Sequence, residues 1–238
     1  MTWSSRRAAR RRFSSYGPVD TELHYYVPRQ ELVDRACAEL LGEDPTRGGH
    51  YITVWAPRQR GKTWVFQQAV ERIRARGDFE VALLTMQPAE TETTAERTLD
   101  VLARGLRYAL GREFPELAAW RDLENLFTSA WFSRPVILVL DEFDAVGEPF
   151  IGHFISQFRS FYSRRATEAK RESGQKSCLL HGLALVGVRG VLGAEHARGS
   201  PGSTSLTTGF NVQRGLHIPN LTFPEVESML RWYERESG

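Results

Sequence analysis

Lys62 and Thr63 stand directly after Gly61, and Asp141 and Glu142 stand directly after the apolar run Val136–Leu140. A flexible residue, a cation and a hydroxyl at the start of an amphipathic run suit one chemistry well. Gly61 lets the main chain approach a phosphate, Lys62 supplies a point charge for the β- and γ-phosphates, and the Thr63 hydroxyl can ligate Mg²⁺. The two acids complement this set: an anionic Asp141 can orient water in the metal's shell, and Glu142 can polarise a water towards the γ-phosphate. Together they describe hydrolysis of a nucleoside triphosphate. The bland alternative is a Gly-Lys-Thr that merely opens a helix, with acids that merely cap another one. The order of the two motifs, about 80 residues apart and each at the end of a predicted strand, favours the catalytic pair.

The loop around Gly61 reads Ala56, Pro57, Arg58, Gln59, Arg60, Gly61, Lys62, Thr63, Trp64, and all nine are candidate nucleotide contacts. Ala56 replaces the glycine that usually opens a G-x-x-x-x-G-K-[ST] loop. Its methyl group is a small disturbance if φ is negative there and a serious one if φ must be positive. Arg58 and Arg60 are open to three roles: holding phosphate, meeting a partner's acids, or standing in solvent. Arg189, at the end of a fourth predicted strand, either senses the γ-phosphate or is a surface charge. Asp144 is expected to cap the following helix rather than bind metal. The histidines are scattered without ligand spacing and are assigned no role.

Hydrophobic periodicity places the elements that would position these groups. Helices are expected over Gln30–Leu41, Thr63–Ile73, Ala95–Leu110, Glu116–Ala130 and Phe150–Arg164, with a last one beginning near Thr222 and carrying Glu225 in its first turn. Strands are expected over Tyr51–Trp55, Phe79–Met86, Val136–Leu140, Leu179–Val188 and Leu216–Leu221. Residues 16–30, punctuated by Pro18 and Pro28, read as an extended segment. A Gly-, Ser- and Thr-rich stretch over 193–209 reads as a mobile loop, with Arg198 in it and Arg214 after it as candidates for an arginine donated to a neighbouring subunit's site. Alternating strands and helices imply a three-layer α/β fold whose mainly parallel sheet of about five strands binds ligands at its carboxyl end.

Composition sets the outer limits. The chain of 238 residues is 41% apolar, enough for one large α/β domain over 13–238 behind a basic, disordered tail over 1–12. Its formal charge of +2 conceals an asymmetry: Arg6, Arg7, Arg10, Arg11 and Arg12 lie in that tail, so the remainder is net acidic. Such a tail is a solvated segment, a nucleic-acid or membrane arm, or a transit peptide. No apolar run approaches the length of a membrane span. Two isolated cysteines, Cys37 and Cys178, give no disulfide or zinc spacing and suit a reducing, cytoplasmic setting.

Further residues carry a resemblance. Phe13, Gly17, Pro18, Val19, His24, Tyr25, Pro28 and Arg29 precede the loop in the pattern FxxxGPVxxxxHYxxPR, and APRQxGKT, DEFD, GVR and Phe210-Asn211 follow in order. The chain resembles bacterial and archaeal AAA-like P-loop ATPases from about Phe13 to its last helix. That resemblance implies the additional-strand arrangement, in which the strand carrying the sensor residue lies between the two motif-bearing strands. It also implies that Tyr26 to Arg29, with Pro28 and Arg29 as nucleotide contacts, lie near the adenine, and that Ala56 is a family habit. Relatives often continue into a helical lid or a nuclease-like region, and neither is evident. The expectation is an ATP- and Mg²⁺-dependent ATPase acting as a nucleotide-driven switch. Lys62, Glu142 and Arg189 are its catalytic residues, and Thr63 and Asp141 its metal ligands. A homo-oligomer or protein partner is compatible with it, as is nucleic acid held by the tail. The alternative is a non-hydrolysing ATP-binding scaffold.

Overall fold

Runs of branched and aromatic side chains form five strands: β1 Tyr51–Trp55, β2 Glu80–Thr85, β3 Val136–Asp141, β4 Leu180–Gly187 and β5 Arg214–His217. The computed structural model describes residues 11–14, 17, 19–187 and 214–237. Every strand pairing is parallel, in the order β2-β3-β4-β1-β5. The two strands with neighbours on both sides and the most apolar sequences, β3 and β4, are buried at every position, as a sheet covered on both faces requires. β4 lies between β1 and β3, as the additional-strand arrangement implies. β5 occupies 214–217 rather than 216–221, because Pro219 has no N–H to continue the ladder.

The helices are α1 Gln30–Leu41, α2 Lys62–Arg74, α3 Ala95–Leu110, α4 Trp120–Leu123, α5 Glu148–Thr167 and α6 Phe223–Ser237. Side chains alternate across each strand, so the sheet feeds two cores. Ile52, Val54, Val81, Ile137, Val139, Ala184 and Val186 pack with α1 and α2 on one face. Ala82, Leu84, Leu138, Leu140, Leu183 and Leu185 pack with α3, α5 and the 114–132 segment on the other. Three layers result. α3 shows how local signals set an element's ends: Thr94 Oγ1 accepts from Arg97 N at 3.3 Å, and Gly111 turns the chain out at φ 65°.

One expected helix fails. Of Glu116–Ala130 only the four residues of α4 are helical, although Leu117, Leu123 and Phe127 are buried as their periodicity suggested. Local bonds compete with the helical ladder there. Asp122 Oδ2 accepts from Ala118 N (3.0 Å) and Ala119 N (2.8 Å), and Thr128 Oγ1 donates to Asn125 O at 2.9 Å. The backbone follows i+3 turns from Ala119 to Leu126, and the Phe127 carbonyl is taken by Leu179 N at 2.7 Å.

The chain divides into two compact units, Glu31–Ile218 with the sheet and a second from the two chain ends. In the terminal unit Tyr25 packs against Phe13, Trp232 and Tyr233 with ring centroids 5.0, 5.4 and 5.5 Å away, and its hydroxyl donates to Glu236 Oε2 at 3.1 Å. α6 begins with a reciprocal cap: Thr222 N donates to Glu225 Oε2 (2.6 Å) and Glu225 N to Thr222 Oγ1 (3.4 Å). Arg11, counted in the tail by its sequence, pairs with Glu236 at 2.9 Å and stacks its guanidinium 5.0 Å from the Trp232 ring centre. Arg12 exchanges main-chain bonds with Leu23 and Tyr25.

Candidate functional site

Because all strands run the same way, the segments leaving β1, β2 and β3 emerge along one edge of the sheet. The residues that follow β1 turn into α2 with no intervening element. Ala56 is fully buried in the α1/α2 core, and its amide donates to Gly187 O at 3.4 Å. Among the described residues other than glycine only Arg29, Gln59 and Glu142 have positive φ, so Ala56 does not. The methyl group therefore costs the loop nothing in conformation. Left-handed residues occur instead at Gln59 (φ 60°) and Gly61 (φ 77°, ψ 21°). A Cβ on Gly61 would meet no heavy atom within 4 Å. Glycine is needed there for its backbone conformation and not for room.

Gly61 caps α2, and its carbonyl accepts from Val65 N at 3.0 Å. The helix thus directs its unpaired first N–H groups and the positive end of its dipole towards the loop. Lys62 Nζ bends back to donate to Ala56 O (2.8 Å) and Pro57 O (3.0 Å), closing the loop with its own cation. Pro57, Arg58 and Gln59 are exposed, while Arg60 and Trp64 are half-buried.

The acids meet this helix end. Thr63 Oγ1 donates to Asp141 Oδ2 at 2.5 Å, joining residues 78 apart in sequence, and Glu142 N donates to Asp141 Oδ1 at 2.9 Å. Asp141 is 7% exposed, and burial raises its pKa above the usual carboxylate value, opposed by the bonds from Thr63 and Glu142. Burial also lowers the pKa of Lys62, opposed chiefly by Asp141. Glu142 is exposed and left-handed (φ 54°, ψ 38°), a conformation unfavourable for a side-chain-bearing residue. Its Oε2 accepts from Thr85 Oγ1 at 2.6 Å. Thr85 pairs with Asp141 across β2 and β3. Nothing in the primary sequence singles out Thr85, because its relation to Glu142 depends on which strands are neighbours.

Asp144 does not cap α5. That helix begins at Glu148 behind Gly147, without a side-chain cap. Asp144 instead lies in a short 3-10 turn, its Oδ1 3.0 Å from where a Cβ on Gly187 would stand, so it fills the gap at the end of β4. Its charge also raises the Lys62 pKa. Arg214 sits opposite Ile52 on β5, where its guanidinium nitrogens face Glu43 (2.8 Å) and Glu39 (3.5 Å). Pro28 and Arg29 belong to the terminal unit, where Arg29 donates to Pro219 O at 2.9 Å and pairs with Glu225 at 3.3 Å. Arg189, Arg198, Phe210, Asn211 and the 193–209 stretch lie outside the described residues.

No helix of the described residues is long and apolar enough to cross a membrane. No protein-family model and no curated protein matches the chain. Solved structures do. The ORC2 protein of Aeropyrum pernix, determined as ADPNP–ADP complexes, matches with a TM-score of 0.56 and 15% identity over 88% of this chain and 52% of that one. The ORC1 protein of Aeropyrum pernix in complex with DNA matches at 0.53 and 16% over 87% and 49%. CDC6P of Pyrobaculum aerophilum matches at 0.53 and 17% over 89% and 50%. The chain spans about half the length of each of them. At such identities the likeness is one of fold: this chain has the AAA-like, additional-strand form of the three-layer P-loop NTPase fold.

Proposed function

We propose that the sheet unit binds ATP with Mg²⁺ and hydrolyses it, acting as a nucleotide-driven switch. The observation that carries this is the 2.5 Å contact between Thr63 and Asp141. It brings a hydroxyl at a helix N-terminus and a buried carboxylate from a strand to one point, beside the lysine that follows a left-handed glycine. Mg²⁺ takes oxygen ligands and commonly uses one or two protein groups, with phosphates and water completing its shell. Thr63 and Asp141 fit that donor set. When bound, the ion would neutralise charge developing on the phosphates.

The chain's own residues supply the rest. Amides from Gln59 to Thr63 and the α2 dipole receive the phosphate oxygens, and Lys62 exchanges the carbonyls of Ala56 and Pro57 for the β- and γ-phosphates. Asp141 stays ionised once its burial is offset by the metal. Glu142 accepts a hydrogen bond from the attacking water, a role with which its bond from Thr85 competes. That competition favours slow basal turnover and a partner-dependent switch. Arg189 as sensor of the γ-phosphate completes the assignment.

A phosphate-release assay with Mg²⁺ and ATP tests it. Lys62→Ala is expected to lose binding, and Glu142→Gln to retain binding while losing roughly 10²-fold or more of turnover. Wild-type protein that binds ATP but turns over no faster than Glu142→Gln would establish the scaffold alternative instead.

A further inference from the structure

At the opposite edge of the sheet, where β1 and β4 begin, a recess of about 210 Å³ is lined by Arg47, Gly48, His50, Tyr162, Arg165 and Lys176, among others. Two of these are buried cations: Arg165 is 5% exposed and Lys176 8%. Neither makes an ion pair with a carboxylate among the described residues. Arg165 donates to Cys178 O (2.6 Å), Ser173 Oγ (2.6 Å) and Arg47 O (3.3 Å), and Lys176 donates to the same Arg47 carbonyl at 2.6 Å. Glu168, the acid whose charge acts on both, is committed to Ser177 N (2.7 Å), Ser177 Oγ (3.1 Å) and Arg171 (2.9 Å), and Glu43 pairs with the lining His50 at 3.0 Å.

The Arg165 side is rigid. Ser173 Oγ, while accepting from Arg165, donates to His181 Nδ1 at 2.6 Å, and His181 Nε2 donates to Leu41 O at 3.1 Å. Burial lowers the His181 pKa to about 4, so this relay carries no charge of its own near neutrality. Gly48 lies between the two cations: a Cβ there would stand 3.8 Å from Arg165 Nη2 and 3.9 Å from Lys176 Nζ, ordinary contact distances.

Cations withdrawn from water are costly unless an opposite charge meets them. We propose that this recess is a second anion site that takes a phosphate group, as free phosphate or as a small phosphate monoester. Arg165 offers its charge and a remaining Nη1–H, and Lys176 a point charge with N–H groups not used by Arg47 O, a pairing that suits a dianionic tetrahedral group. A phosphate is preferred to a single carboxylate because two buried positive charges require two negative ones. The inference stands apart from the assignment of the nucleotide loop.

The test uses full-length Lys62→Ala protein, which disables the loop as a competing phosphate site. Its thermal midpoint is measured against inorganic phosphate at ionic strength held constant with sodium chloride, alongside ³¹P line width. Expected are a saturable rise in midpoint and broadening of the phosphate signal. Adding Lys176→Met should weaken both by about tenfold or more, the loss of a charge-assisted hydrogen bond. Glycerol phosphate distinguishes the sources: competition with phosphate assigns the site to an ester, and saturation by inorganic phosphate alone assigns it to the free ion. Should chloride at matched ionic strength reproduce the rise, or Lys176→Met leave the phosphate response intact, the proposal fails. Arg165→Ala is avoided because its guanidinium also ties three chain segments together.

Discussion

Thr85 and Glu142 form a pair whose energetics oppose each other. The 2.6 Å bond holds the carboxylate, while the left-handed backbone of Glu142 costs energy wherever that carboxylate points. Thr85→Val keeps the β-branched shape in the strand and removes only the hydroxyl. It is expected to raise basal hydrolysis by roughly tenfold or more, the worth of one hydrogen bond to a charged group, with ATP affinity unchanged. A lower rate would mean that Thr85 positions Glu142 for catalysis. Asp141 makes a second residue-level case. Its pKa is raised in the folded protein, so the native state binds that proton more tightly than the unfolded chain does. The resulting stabilisation is present below the unfolded pKa and disappears as pH rises through the folded value. At neutral pH the buried charge is therefore a burden. Asp141→Asn, which can retain both hydrogen bonds with Thr63 and Glu142, should raise the nucleotide-free thermal midpoint by about 2–4 °C for each kcal/mol recovered while abolishing Mg²⁺-dependent turnover. The gain should vanish in acid. A midpoint that falls at pH 7 would show the carboxylate to be stabilising.

Among the elements, the legible ones were those whose pattern agreed with their tertiary role. α1 and α3 match their expected bounds, and the apolar run before Asp141 became a strand buried on both faces. The 116–130 segment was misjudged because apolar spacing of three and four also serves a chain of turns, and the deciding bonds came from Asp122 and Thr128. The loop's residue types named the phosphate chemistry, but not that Ala56 would be free of left-handed strain or that Gln59 would share it with Gly61. Thr85 and Asp144 were invisible or misassigned because strand order, not sequence order, places them beside Glu142 and Gly187. Gly61 yields the prediction at this scale. Since a methyl there meets nothing within 4 Å, Gly61→Ala should cost only the left-handed backbone term of about 1 kcal/mol, seen as a midpoint roughly 2–4 °C lower. A fall several times larger would point to a steric clash and a different loop.

For the molecule as a whole, charge is divided unevenly: five arginines precede residue 13, and the remainder is net acidic. Two of the five are engaged inside the terminal unit, Arg11 with Glu236 and Trp232, and Arg12 through its main chain. The nucleic-acid reading therefore loses Arg11 and keeps Arg6, Arg7, Arg10 and the exposed side chain of Arg12. If these neutralise phosphates of a duplex, each releases close to one counterion, and log affinity against log salt steepens accordingly. Removing residues 1–10 should make that slope shallower by up to about 2.7 while leaving ATP turnover unaffected, because the loop and both acids lie in the sheet unit. Measured on a short DNA duplex across a salt series, an unchanged slope would take Arg6, Arg7 and Arg10 out of any nucleic-acid contact. A slope change accompanied by lost turnover would instead tie those arginines to the nucleotide site.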